Sequence, residues 1–232
     1  MRHRFLILAI LAAFSLRKPA ALAQTSPAWL DHVVLGISDL EQGVRSFEQA
    51  SGVRPIAGGE HPGAGTHNAL ASAGGRAYLE ILAPVPDEDL HEGWKELADL
   101  DQLTPLIWAV GVSNVDLARK TLEEAGFATT IPTAGSRTTK DGATLAWKTS
   151  LIQAPAMAVA PFLIEWQEGV EHPAMTAPGG CELTALELKT TSPAALARLL
   201  KAVQIEASVE VSDDPGFALM LDCPNGEIVP GN

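Results

Sequence analysis

Cysteine is scarce in this chain, with two in 232 residues, Cys181 and Cys223. They form no Cys-x-x-Cys pair, so a zinc-type cysteine cluster is excluded; what remains is a disulfide or two small buried residues. Basic charge is also short: 16 Lys and Arg stand against 28 Asp and Glu. Such an excess of acid argues against nucleic acid or an anionic membrane as a partner. No apolar run is long enough to span a bilayer. The glycines at 58, 59, 63 and 65 lack the Lys-Ser/Thr ending and following helix of a phosphate loop. Gly-x-Ser-x-Gly and His-Glu-x-x-His are absent, which leaves serine-hydrolase and zincin chemistry without a motif.

What is present begins with an export signature. Arg2 and Arg4 precede an apolar run over residues 5–16, and Ala21-Leu22-Ala23 precedes Gln24. Residues 1–23 are therefore expected to be a signal peptide, and the mature protein to be secreted or periplasmic, with no membrane association after cleavage. Loss of Arg2, Arg4, Arg17 and Lys18 leaves 12 basic residues against 28 acidic, a net charge of −16.

The rest of the chain repeats itself. Residues 30–37 read as a strand, Ser38 and Glu41 as a capping box, and the helix runs to about Ala50 before Ser51-Gly52. Further strands follow at 53–56, 66–73 and 76–82, the last two joined by Gly74-Gly75 as a hairpin. Residues 83–104 read as a linker with a short helix near 93–100. The phrase then returns: a strand from Leu106, Ser113 and Asp116 as caps, a helix to about Ala125, and strands near 127–131, 145–152 and 161–166 around a turn at Asp141-Gly142. A shorter third copy opens at 181–189, caps a helix with Ser192-Pro193, and ends in strands near 207–211, 217–222 and 227–229. The pattern is β-α-β-β-β, given three times.

His32 is the one chemically unusual residue of the first strand. Matching Gly36 to Gly111 sets His32 opposite Ile107, and matching 77–81 to 162–166 sets Glu80 opposite Glu165. A charge in an apolar strand is costly to bury unless it is paired or binds a cation. A histidine with two carboxylates suits a divalent ion such as manganese, iron, nickel or zinc. Counting back from a two-residue Gly74-Gly75 turn puts His67 on the face of Glu80 and turns Asn68 away, which makes His67 a fourth candidate. Blander readings stand beside these. His32 also reads as a core histidine, the two glutamates as ion-pair partners, His61 as a turn residue, and Trp94, Trp108, Trp147 and Trp166 as core, with Trp108 beside Ile107 also placed to line a cup. Arg137 is either a solvated loop arginine or a donor that receives a substrate carboxylate.

Leu30-Asp31-His32-Val33-Val34, the run from His61 to Leu70, Tyr78-Leu79-Glu80-Ile81, Gly135-Ser136-Arg137 and the run from Pro161 to Trp166 together resemble the glyoxalase-like domains of the vicinal oxygen chelate superfamily. The likeness covers about residues 29–170, with 171–232 as a partial third module packed on them. It implies an α+β fold in which paired β-α-β-β-β modules form a cupped, mostly antiparallel sheet. It also implies metal ligands at His32, Glu80 and Glu165, with the fourth position lost at Ile107 and His67 as a substitute. Glu165 and Glu80 become the proton-moving carboxylates, and Arg137, Trp108 and Tyr78 the substrate contacts. The implied function is a metal-dependent lyase or isomerase acting on a small oxygen-rich substrate. The alternative is a non-catalytic protein that sequesters a small ligand in the same cup. Pairing of modules within one chain or across a homodimer is left open.

Overall fold

The computed structural model describes residues 27–139, 142, 144–154 and 159–231, so the expected leader lies outside the described residues. Strand β1 (Ala28–Gly36) leads to helix α1 (Leu40–Ser51), then β2 (Ile56–His61), β3 (Thr66–Ser72) and β4 (Tyr78–Pro84). The order returns in β5 (Thr104–Val112), α2 (Val115–Glu124), β6 (Ala128–Thr129), β7 (Thr133–Thr138), β8 (Thr144–Gln153) and β9 (Phe162–Trp166), where β6 is a short addition. After α3 (Pro173–Thr176) comes the third copy, β10 (Glu182–Thr190), α4 (Pro193–Val203), β11 (Ser208–Val211), β12 (Gly216–Cys223) and β13 (Gly226–Ile228).

The expected helices are present, but their caps sit one residue later. Asp39, not Ser38, accepts from the backbone N–H of Gln42 at 2.7 Å, and Asn114, not Ser113, accepts from Leu117 at 2.8 Å. Each offers an oxygen on a side chain one bond longer than serine, aimed at the free N–H groups of the first turn. Gly52 closes α1 in the left-handed region at φ 79°, where a β-carbon is disfavoured.

Two modules share one nine-stranded sheet, ordered β2-β3-β4-β1-β5-β9-β8-β6 with β7 also on β8. Strands β1 and β5 meet antiparallel at its centre; β4 lies parallel to β1 and β9 parallel to β5, and the remaining ladders are antiparallel. The modules are thus related by an approximate two-fold about the β1/β5 junction, and the sheet curls into a cup. Its outer strands come back toward each other: the Arg137 guanidinium of β7 donates to the carbonyl of Gly58 in β2.

The convex face is packed by α1 and α2 and by the third module, whose own four strands are ordered β11-β10-β12-β13. One continuous apolar core takes Val33, Phe47 and Ile81 from the first module, Leu122 and Leu163 from the second, and Leu188, Leu199 and Leu221 from the third. The predicted linker is a structural part of the cup. Its 3-10 helix (Glu92–Asp99) buries Leu97 against Val34 and Leu82, with Trp94 and Ile107 alongside.

The hairpin between β3 and β4 departs from expectation by one residue. Gly74 and Gly75 both take positive φ, but they belong to a longer connection in which Ala73 donates to Ala77 and Ala77 to Gly74. Ser72 therefore faces Tyr78, and Leu70 faces Glu80. A slip of one exchanges the two faces of a strand. Asn68 consequently points into the cup and His67 out of it.

Candidate functional site

The concave face encloses a cavity of about 700 Å³, on which His32, His61, Asn68, Tyr78, Glu80 and Arg137 converge. His32 is carried there by the alternation of β1, whose Val33 and Leu35 fill the core behind it. It is 3 % exposed, stacked on Tyr78 with ring centroids 4.7 Å apart, and met edge-on by Phe162 at 5.4 Å.

Its neighbour Asp31 holds it. The Asp31 carboxylate is fully buried and lies 2.7 Å from His32 Nδ1, while its other oxygen is 2.9 Å from His172 Nε2, 3.1 Å from Trp166 Nε1 and 3.2 Å from Trp29 Nε1. Burial alone would raise its pKa, but the hydrogen bonds and charges of His172 and His32 overcome that and hold it at about 2. An ionised Asp31 only accepts, so His32 carries a proton on Nδ1 and turns Nε2 into the cup. His172 is fixed as well: its Nδ1 accepts from the N–H of Ala174 and its Nε2 donates to Asp31.

Glu80 forms the floor. Its Oε2 is 3.6 Å from His32 Nε2, and its Oε1 accepts from Asn68 Nδ2 at 2.6 Å and lies 3.7 Å from His61 Nε2. Burial works to raise its pKa, yet His61, His32, the Asn68 amide and Arg137 together bring it below the usual value, so it is ionised. That fixes the Asn68 amide, whose NH₂ must face the carboxylate. Burial lowers the pKa of His61, and the Arg137 charge adds to the effect, whereas Glu80 opposes it.

Four predicted site residues therefore meet in the cup: His32, Glu80, Tyr78 and Arg137. Three do not. Glu165 lies on the reverse face of β9, where its carboxylate accepts from the backbone N–H of Val115 at 2.6 Å at the start of α2 and pairs with Lys148 at 3.5 Å. It is a helix-terminus acceptor. His67 is on the reverse face of β3, through the hairpin slip. Trp108 is 0 % exposed in the core and donates to the carbonyl of Val159 at 2.8 Å. The glutamate match fails because only composition anchored it. Carrying Gly36 onto Gly111 through the two parallel ladders, where Val34 pairs with Glu80 and Ala109 with Phe162, sets Phe162 at the place of Glu80.

The second module thus brings Ile107 and Phe162 to the positions where the first brings His32 and Glu80. The predicted donor set of His32, Glu80, Glu165 and His67 is divided between two faces of the sheet and does not fit a metal. Among the described residues no group of three or more His, Cys, Asp or Glu is arranged to hold one.

Asp31, His61 and Asn68 were not selected from the sequence. For Asp31 the signal is adjacency to His32, and for His61 its place in the glycine-rich run that leads into β3; for Asn68 it is the correct hairpin register, which the Gly-Gly pair conceals. Trp147 and Trp166 line the cup rather than the core, with ring centroids 5.5 Å apart.

A curled sheet of two β-α-β-β-β modules around a polar pocket defines a protein of the glyoxalase fold. The chain belongs to the glyoxalase-like domain family, whose profile matches residues 30–204. A hypothetical protein from Staphylococcus aureus has a similar solved structure, with 17% identity, 88% of this chain and 84% of that chain covered, and a TM-score of 0.63. Methylmalonyl-CoA epimerase from Mycobacterium tuberculosis gives 21% identity, 59% and 86% coverage, and a TM-score of 0.44. A hypothetical protein from Bacillus halodurans C-125 gives 16% identity, 62% and 98% coverage, and a TM-score of 0.48. These likenesses concern the fold. No curated protein matches the chain.

Proposed function

We propose that this protein is a lyase or isomerase of the glyoxalase-like kind, acting by proton transfer on a small oxygen-rich molecule in the cup. The observation that carries the reading is the Asp31–His32–Glu80 array, in which a buried carboxylate sets the His32 tautomer and leaves Nε2 as a base 3.6 Å from a second, ionised base. Both bases reach one substrate atom from adjacent sides. His32 Nε2 removes a proton from a carbon next to a carbonyl, and the electron pair of the C–H bond passes to the carbonyl oxygen as an enolate. Asp31 stabilises the imidazolium that forms. Return of the proton to a different carbon completes an isomerisation; expulsion of a group from the next carbon completes a lyase reaction.

Export belongs to the same reading, supported by the leader composition and by the bridge between Cys181 and Cys223, which an oxidising compartment maintains. The competing reading is a ligand-sequestering protein, favoured by the apolar Ile107 and Phe162 on the second half of the cup. Proton exchange separates the two. Proteins incubated in D₂O with a panel of small 2-oxo acids and hydroxyketones are followed by NMR for loss of the proton next to the carbonyl. The wild type should exchange at least one member. His32→Asn and Glu80→Gln should each slow that exchange by about 10²–10⁴-fold, and Glu165→Gln and His67→Ala should leave it unchanged. Binding without exchange across the panel would decide for sequestration.

A further inference from the structure

The cup holds one cation that its own chemistry does not use. Arg137 is 5 % exposed, on β7, and its guanidinium donates to the Gly58 carbonyl across the seam between β2 and β7. Among the described residues no carboxylate lies within ion-pair distance of it, the nearest buried one, Glu80, being engaged by Asn68 and flanked by the two histidines. A buried guanidinium without a counterion is costly, and its planar fork of donors matches a carboxylate.

Beside it stands an aromatic wall. Gly135 is two residues from Arg137 on the same face of β7, and the Trp147 indole lies directly over it; a β-carbon there would come within 2.5 Å of Trp147 Nε1. Trp166 and Phe162 continue the wall. Guanidinium and ring faces are therefore presented side by side, which recognises a planar body joined to an acid.

We infer that the substrate is an aryl or similarly planar monocarboxylate, with its carboxylate on Arg137 and its ring against Trp147 and Trp166. This rests on the cup being the site of chemistry and adds the substrate class. Charge selects a monoanion: one fixed cation is available, and ionised Glu80 in the same pocket repels a second negative charge. A cavity of about 700 Å³ takes a molecule of this size with room for a functional group near His32.

The test is calorimetric titration of the full mature chain with 3-phenylpropionate, 3-phenylpropionamide, propionate and phenyl phosphate. The wild type should bind 3-phenylpropionate about tenfold or more tightly than each of the others. Arg137→Gln should abolish the preference for acid over amide while retaining amide binding, and Arg137→Lys, which keeps the charge, should retain part of it. Circular dichroism checks that both variants fold. Equal affinity for acid and amide in the wild type, a preference that survives in Arg137→Gln, or no heat with any probe at millimolar concentration would each overturn the inference. His32→Asn separates this result from the catalytic reading: it should lose exchange and keep the carboxylate preference.

Discussion

Asp31 shows how one side chain fixes both stability and chemistry. Its pKa falls from 3.8 to about 2 on folding, because the bonds and charges of His172 and His32 outweigh the penalty of burial. With the folded value below the unfolded one, the unfolded chain takes up the proton first as pH falls. The stabilisation, roughly 2 kcal/mol, is whole above about pH 4 and is lost as pH falls through about 2. Asp31→Asn should therefore be less stable than the wild type at neutral pH, and the gap should close in acid. Urea denaturation at a series of pH values measures it, and a gap of constant size from neutral pH to pH 2 would contradict the account. His32 and Glu80 were legible as polar residues in apolar strands. What Asp31 does was not, since His172 and Trp166 reach it from 141 and 135 residues away.

At the scale of elements, the two-fold repeat was readable because each module carries the same succession of apolar strand, capped helix and glycine turn. Which face each strand turns to the cup was not. Face depends on register, register on the turn, and one extra residue between β3 and β4 exchanged His67 for Asn68. The seam between β2 and β7 was equally hidden, although its requirement is written in Gly58. A β-carbon at Gly58 would lie 2.3 Å from Asn68 Oδ1 and 2.9 Å from Arg137 Nη1, both side chains that are nearly buried. Asn68 Oδ1 has no hydrogen-bond partner among the described residues, and the amide cannot turn away without releasing Glu80. Gly58→Ala should cost about 1–3 kcal/mol and also weaken ligand binding, as Arg137 loses its backbone acceptor. Thermal melting with parallel titration of a cup ligand tests this, and a variant with unchanged melting and affinity would show that the seam opens freely.

The whole molecule behaves as a cup braced from behind. The third module donates from Leu183 to the Ala73 carbonyl beside the β3–β4 turn, and Asn225 donates from its backbone to Ser51 and from its side chain to Gln49 at the end of α1. Cys181 and Cys223 are bonded across 42 residues, tying the start of β10 to the end of β12 next to these contacts. Closing a loop of that length restricts the unfolded chain and stabilises the folded one by about 3–4 kcal/mol. The apolar core nevertheless runs without interruption from Val33 to Leu221, with Cys181 and Cys223 among its members, so loss of the bridge chiefly removes a constraint on the unfolded state. The double variant Cys181→Ala, Cys223→Ala, which buries no new polar group, should accordingly unfold at lower denaturant concentration by an amount of that order, still in a single transition reported alike by tryptophan fluorescence and far-ultraviolet dichroism. Two separated transitions would mean that the third module folds as a unit independent of the cup, and the cup would then keep its ligand affinity after the third module had melted.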